Sequence, residues 1–200
     1  MQELVRLVPQ PGVDGQSITT LAFEQGWDLD AVLDAEPEAG TLAEKVFCAP
    51  RQAWVRFVED PELDLSFIVV EGKKKAVDAA VDTLKRGLPI YTERGLRALS
   101  RAASPAARAH AAVRFGVLAL SGLTKTSLDA LLEALADRDL RVRKAALAAA
   151  SYCEAEPLRA AIEQLALRDK SREVRSQASV LVAAYKRRSR QAFARSPRRA

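Results

Sequence analysis

The sequence predicts an α+β N-terminal region followed by an all-α stack of helical repeats. Three observations carry this expectation. Residues 127–182 hold the same helix–turn–helix pattern twice. Residues 1–90 hold short alternating apolar runs separated by Pro, Gly and Asp. The charge breaks where the repeats begin: residues 1–90 carry 16 acids against 9 bases, and residues 91–200 carry 10 acids against 22 bases, within an overall net charge of +5. With 200 residues, of which 48% are apolar, the chain is long enough for one or two small cores. The divisions expected are 1–50, 51–90, 91–188 and a basic disordered tail, 189–200. No apolar stretch approaches the length of a membrane span and no export signal opens the chain, so a soluble cytoplasmic protein is expected. Cys48 and Cys153 are read as reduced thiols. The high Ala and Arg content points to a GC-rich bacterial genome.

Residues 4–8 form an extended apolar run, read as a strand. "SITTLAFEQG" then reads as a short helix, with Ile18, Leu21 and Ala22 inward, Ser17 as N-cap and Gly26 as the stop. "DLDAVLDAEPE" reads as a second helix capped by Asp28 or Asp30, with Leu29, Val32 and Leu33 inward and Pro37 beyond its end. "KVFCAP" alternates as a strand, with Val46 and Cys48 on one face and Phe47 on the other. The order is strand, helix, helix, strand. With "GQSI" at the turn, "LAFEQGW" in the first helix and "LAEKVFCAP" at the closing strand, residues 3–50 resemble the LysM domain. The likeness is nearest to divergent modules found beside type VI secretion and phage-tail-like genes. It implies a βααβ fold and a cleft at Gly15, Gln16, Ser17 and Pro37. Gln16 stands where the family turn has an acid, and "EPEAG" replaces the family Asn. Both departures argue against glycan binding and leave a peptidoglycan-binding envelope protein as a lesser reading. The rival helix-turn-helix reading is disfavoured by charge, because its recognition helix would be acidic and would repel phosphates.

"AWVRFVED" and "LDLSFIVVEG" read as a hairpin, and "KKKAVDAAVDTLKRGLP" as a helix burying Ala76, Val77, Ala80, Val81 and Leu84. Together they form a ββα linking unit. The strand–Gly–helix passage at Gly72, Lys73, Lys74 and Lys75 is a candidate anion site. The Walker spacing is absent, however, and Glu71 and Asp64 are local acids that could serve the lysines.

In the repeats, "SLDALLEALADRD" and "PLRAAIEQLALRD" align at an offset of 30, and Val142-Arg143 aligns with Val174-Arg175 at an offset of 32. A fainter copy precedes them, with Ala107-Arg108 at the Val-Arg position and Pro105 suited to the first turn of its second helix. Each copy is helix, turn, helix, and stacking supplies the core that one copy lacks. The words "L..L.DRD..VRKAA" and "L.LRD...VRSQA" resemble the short bacterial HEAT repeat known also from phycobilin lyase subunits. Arg143 and Arg175 are open to two readings. In one they form a ladder with turn acids such as Asp139 and Asp169. In the other, Arg108, Arg141, Arg143, Lys144, Arg172 and Arg175 line one surface that binds an anionic partner.

His110, the only histidine, has no acid near it in sequence. No metal-binding, nucleophile or dinucleotide motif occurs, so no catalytic residue, metal or cofactor is expected. The functional expectation is a non-catalytic adaptor or scaffold gripping protein partners, accessory to a contractile injection system. Nucleic-acid binding through the basic repeats and tail is the second reading.

Overall fold

A computed structural model describes residues 2–195, apart from 37, 39, 40 and 62; of residues 189–195 only the helical path is described. The chain divides into two compact units, residues 1–95 and 96–200.

The first unit is built on one antiparallel sheet. Its elements are β1 (Gln2–Leu7), α1 (Gly15–Glu24), β2 (Asp28–Leu33), β3 (Ala43–Ala49), β4 (Ala53–Asp60), β5 (Leu65–Lys73) and α2 (Lys74–Gly87). The strand order is β1-β5-β4-β3-β2. Both helices lie on one face, where Ile18, Leu21, Val77 and Leu84 meet Phe47, Val55, Phe57, Ile68 and Val70 in a continuous core. The sheet drives this arrangement. β1, β3, β4 and β5 offer alternate side chains to the helices, and the amphipathic stripe of α2 matches them. The unit is tied shut where Tyr91 donates its N–H to the Val8 carbonyl at 2.9 Å and Gln10 donates to Pro89 at 2.8 Å.

Three expectations need correction here. Residues 28–33 are a strand, not a second helix, so the expected βααβ order is not adopted. Six residues of mixed apolar and acidic character cannot distinguish a period of 2 from one of 3.6. The open edge of β3 decides: β2 pairs along it from Asp28–Cys48 to Leu33–Glu44, with a bulge between Leu29 and Ala31. The apolar stripe assigned to a helix is left exposed, with Val32 at 58% and Leu33 at 50%. Residues 1–50 and 51–90 are also not separate modules, because β3 and β4 pair along their whole length, from Ala43–Glu59 to Ala49–Ala53. The first helix is capped by Asp14 rather than Ser17. The Asp14 carboxylate accepts from the Ser17 N–H at 2.8 Å, and the Asp14 N–H donates to the Ser17 hydroxyl at 3.3 Å, a reciprocal capping box.

The second unit holds α3 (Glu93–Ser100), whose first residues belong to unit one, then α4 (Pro105–Ala119), α5 (Lys125–Leu135), α6 (Leu140–Ser151), α7 (Glu156–Arg168) and α8 (Arg172–Arg195). Short turns join consecutive helices. α4, α6 and α8 pack in one layer, while α5 packs on α7 in the other. Ser104 and Thr124 cap α4 and α5 as acceptors, and Pro105 occupies the first turn of α4. α8 continues to Arg195, so 189–195 is helical rather than the start of a disordered tail. Its Lys, Arg, Gln and Ala residues are all good helix formers. The remainder of the tail lies outside the described residues.

Gly116 sets the spacing of α4 on α6. A Cβ placed there would lie 2.8 Å from the Ala149 Cα, Cβ and carbonyl oxygen. Gly116→Ala is expected to force the helices apart and cost about 1–3 kcal/mol, read as a lower urea midpoint; an unchanged midpoint would show that the contact relaxes freely.

Candidate functional site

The basic residues singled out in the repeats are brought into a ladder. Arg108 places Nε 2.7 Å and Nη2 3.0 Å from the two Asp137 carboxylate oxygens. Its Nη1 donates to the carbonyls of Ala102 and Ala103. Arg143 repeats the arrangement on Asp169, again at 2.7 and 3.0 Å, with Nη1 on the carbonyls of Asp137 and Arg138. Planar fork meets planar carboxylate, so each pair is bidentate and directional. Arg143 is 4% exposed. The ladder acid of the first rung is Asp137, not Asp139. Asp139 instead caps α6 through the Arg141 N–H and binds the Arg141 side chain, which holds its carboxyl down at about 2.

The six bases therefore do not form one free cationic surface. Arg108, Arg141 and Arg143 are engaged by carboxylates, and Lys144 pairs with Glu173. Arg172 is exposed, and Arg175 is half-buried with Nη1 on the Asp169 carbonyl at 2.6 Å.

The other candidates fall in the first unit. Gly15, Gln16 and Ser17 begin α1. Gln16 and Ser17 line a shallow groove of about 560 Å³ with Gly87, Leu88 and Pro89, while Gly15 is buried under Lys45, whose Nζ donates to the Gly15 carbonyl at 3.1 Å. Pro37 lies outside the described residues. Gly72 is buried at φ +152°, where a Cβ would come within 2.9 Å of the Gln52 carbonyl. Lys73, Lys74 and Lys75 are exposed. Lys74 reaches Glu3 at 3.4 Å and Asp78 at 3.3 Å, so these two acids serve it rather than Glu71 or Asp64. Lys73, Arg51, Gln52, Trp54 and Gln2 surround a cleft of about 330 Å³ beside Gly72.

Sequence reasoning missed the sheet face that carries no helix. Leu4 and Arg6 of β1, Phe67, Val69 and Glu71 of β5, Trp54 and Arg56 of β4, and Val46 of β3 alternate with core residues and point away from α1 and α2. Arg6, Val69, Arg56 and Val46 form one row across four strands. Trp54 is 39% exposed, and Leu4, Phe67 and Val46 are half-buried. Arg56 lies 3.9 Å from Glu44 and 3.7 Å from Glu71, loose contacts for a guanidinium. Burial, then the neighbouring Arg56 charge, lowers the proton affinity of Arg6. The signal was available: both faces of "AWVRFV" and "SFIVV" are rich in apolar side chains, whereas only one face has helices to cover it.

Among the described residues no group of His, Cys, Asp or Glu is arranged to hold a metal ion, and no helix is long and apolar enough to cross a membrane. Cys48 and Cys153 are free thiols. His110 is exposed, and its backbone carbonyl accepts from Arg114 at 3.1 Å. No family model matches the sequence, and neither the curated proteins nor the solved structures contain a match.

Removing one partner of the Arg143–Asp169 pair leaves a charge with little access to water, so Arg143→Ala is expected to cost about 3 kcal/mol. The acid side is also testable. Burial pushes the Asp169 carboxyl up, but hydrogen bonds from Arg143 and the Ser171 N–H outweigh it and hold it below its ordinary value. A carboxylate depressed in the folded state stabilises fully above its ordinary value, and this is lost as pH falls through the depressed one. The urea midpoint should therefore drop as the pH falls below about 4, and drop less in Arg143→Ala; equal slopes would remove the ladder from the acid response.

Proposed function

We propose that this chain is a non-catalytic adaptor that grips protein partners, one of them on the helix-free sheet face. The observation that carries the reading is that face: Trp54, Phe67, Leu4 and Val46 form a partly exposed apolar surface around the Arg6–Arg56 row, with Val69 buried at its centre, and no helix of the unit lies on it. Aromatic and arginine side chains on an otherwise apolar patch are the composition of a protein-binding hot spot. The helical stack, read as HEAT-like, would supply a second surface. A place beside a contractile injection machine rests on the wording of the first helix, "AFEQG", and on nothing in the fold. The peptidoglycan reading needed the βααβ module, and β2 takes the place of its second helix.

Nucleic-acid binding is the second reading, and the ladder speaks against it. Four of the six candidate bases are already paired with acids. A phosphate contact by Arg108 or Arg143 would have to break an existing buried pair, and one by Arg141 or Lys144 would compete with the acid each already holds. What remains is Arg172, Arg175 and the seven bases of the last fifteen residues.

Two outcomes test this. In affinity capture with the full chain from its native cells, a partner held by the wild type should be lost with Trp54→Asp, while the melting curve stays in place; retention would remove the sheet face. The wild type should show no sub-micromolar binding to duplex DNA at about 0.15 M salt, where the Debye length is about 8 Å. Tight binding under those conditions would overturn the adaptor reading.

A further inference from the structure

The ladder has a direction. Arg97 of α3 binds Glu133 of α5, Arg108 of α4 binds Asp137, Arg143 of α6 binds Asp169, and Lys144 of α6 binds Glu173 of α8. In each the base lies on the earlier helix pair and the acid on the later one. Every step of the stack thus presents a base to whatever follows it.

Arg175 is the last rung among the described residues. Its Nη1 is already bound to the Asp169 carbonyl at 2.6 Å, as Arg108 and Arg143 bind the carbonyls of their own turns. Its Nε and Nη2, the atoms that clasp Asp137 and Asp169 in the completed rungs, meet no acceptor among the described residues. The face around it is open in the same way. Leu147, buried at 3%, corresponds at the 32-residue offset to Ser179, which is exposed. The guanidinium is held in place by its own turn, so an incoming carboxylate meets a fork that has already lost much of its conformational freedom.

We infer that Arg175 is the anchor of a docking face for an acidic helical partner: a turn bearing Asp or Glu packs on the outer side of α7 and α8 as the turn of Asp169 packs on Arg143. This rests on the adaptor reading and adds a second face to it. A further copy of this chain joined end to end would not complete the rung. The ladder acid stands six residues before its own ladder arginine, as Asp137 before Arg143 and Asp169 before Arg175. At the start of the stack that position, six before Arg108, is Ala102, whose methyl accepts nothing. End-to-end stacking of copies being excluded, the occupant proposed is a different protein.

The test places a photo-crosslinking amino acid at Ser179 of the full chain in its native cells. The expected product is a cross-link to an Asp- or Glu-bearing turn of another protein. Its yield should fall about tenfold or more with Arg175→Glu, the loss of about 1.4 kcal/mol or more, and less with Arg175→Lys, which keeps the charge but not the fork. It should persist with Trp54→Asp, which separates this face from the sheet face: loss of the sheet partner alone leaves the inference standing, and loss of the Ser179 product alone leaves the sheet face standing. Reversing the partner's acid to Arg should restore the yield with Arg175→Glu. If Arg175→Glu does not melt like the wild type, Arg175→Gln takes its place. A cross-link to a second copy, to nucleic acid or to a turn without an acid would overturn the inference. So would the absence of any product, or a yield that the substitution leaves unchanged.

Discussion

Arg143 satisfies four acceptors at once: two carboxylate oxygens of Asp169 and the carbonyls of Asp137 and Arg138. Asp169 in turn accepts from the Ser171 N–H at 2.8 Å, and Asp137 accepts from the Asp139 N–H at 2.8 Å. Each ladder acid therefore holds its own turn and the preceding arginine with the same carboxylate. Burying such a pair adds little net stability compared with a well-packed apolar substitute. Its effect is on geometry. A fork that must meet four fixed acceptors allows one rise and one rotation between successive helix pairs. The small residues of α4 and α6 follow from this: Gly116 against Ala149 is what lets the helices approach to the distance the fork requires. At the far end of α6 the Tyr185 hydroxyl donates to the carbonyls of Ala150 and Cys153, and burial raises its pKa to about 12, so α8 is fixed near both ends of α6.

The helical half was largely legible in the sequence because the repeat is internal evidence: the 32-residue offset places Val142-Arg143 and Val174-Arg175 in equivalent sites whatever their chemistry. That offset also held the correction. It maps Asp137 onto Asp169, both ladder acids, and maps Asp139 onto Ser171, where a helix begins. Choosing between two aspartates two residues apart needs the turn geometry unless the offset is applied to the acids as well. The first unit was less legible. Strands, hairpin and α2 declare themselves locally, but the position of β1 beside β5 depends on pairing across some seventy residues, from Gln2–Lys73 to Leu7–Ile68. Residues 28–33 were ambiguous by period, and the neighbouring strand edge settled them. Such tertiary override is expected where a short segment has no strong preference of its own.

The candidate site shows the difference between formal and available charge. Counting residues makes the C-terminal half strongly cationic, yet the ladder arginines direct their charge inward at acids of neighbouring turns. The sheet face was missed for the converse reason. A half-covered sheet and a fully covered one have similar strand composition, and only the placement of both helices on one side reveals which face is left over.

β2 lies at the rim of the sheet with its far edge unpaired by any strand among the described residues, and it carries exposed Leu29, Val32 and Leu33. A flat apolar rim of this kind is a template on which further chains can add as strands. Here the bulge between Leu29 and Ala31 bends the rim, and Asp28, Asp30 and Asp34 bring like charges together whenever two rims meet. The acids that made this segment look like a capped helix thus stand as gatekeepers on the rim, opposing the edge-to-edge addition of further strands.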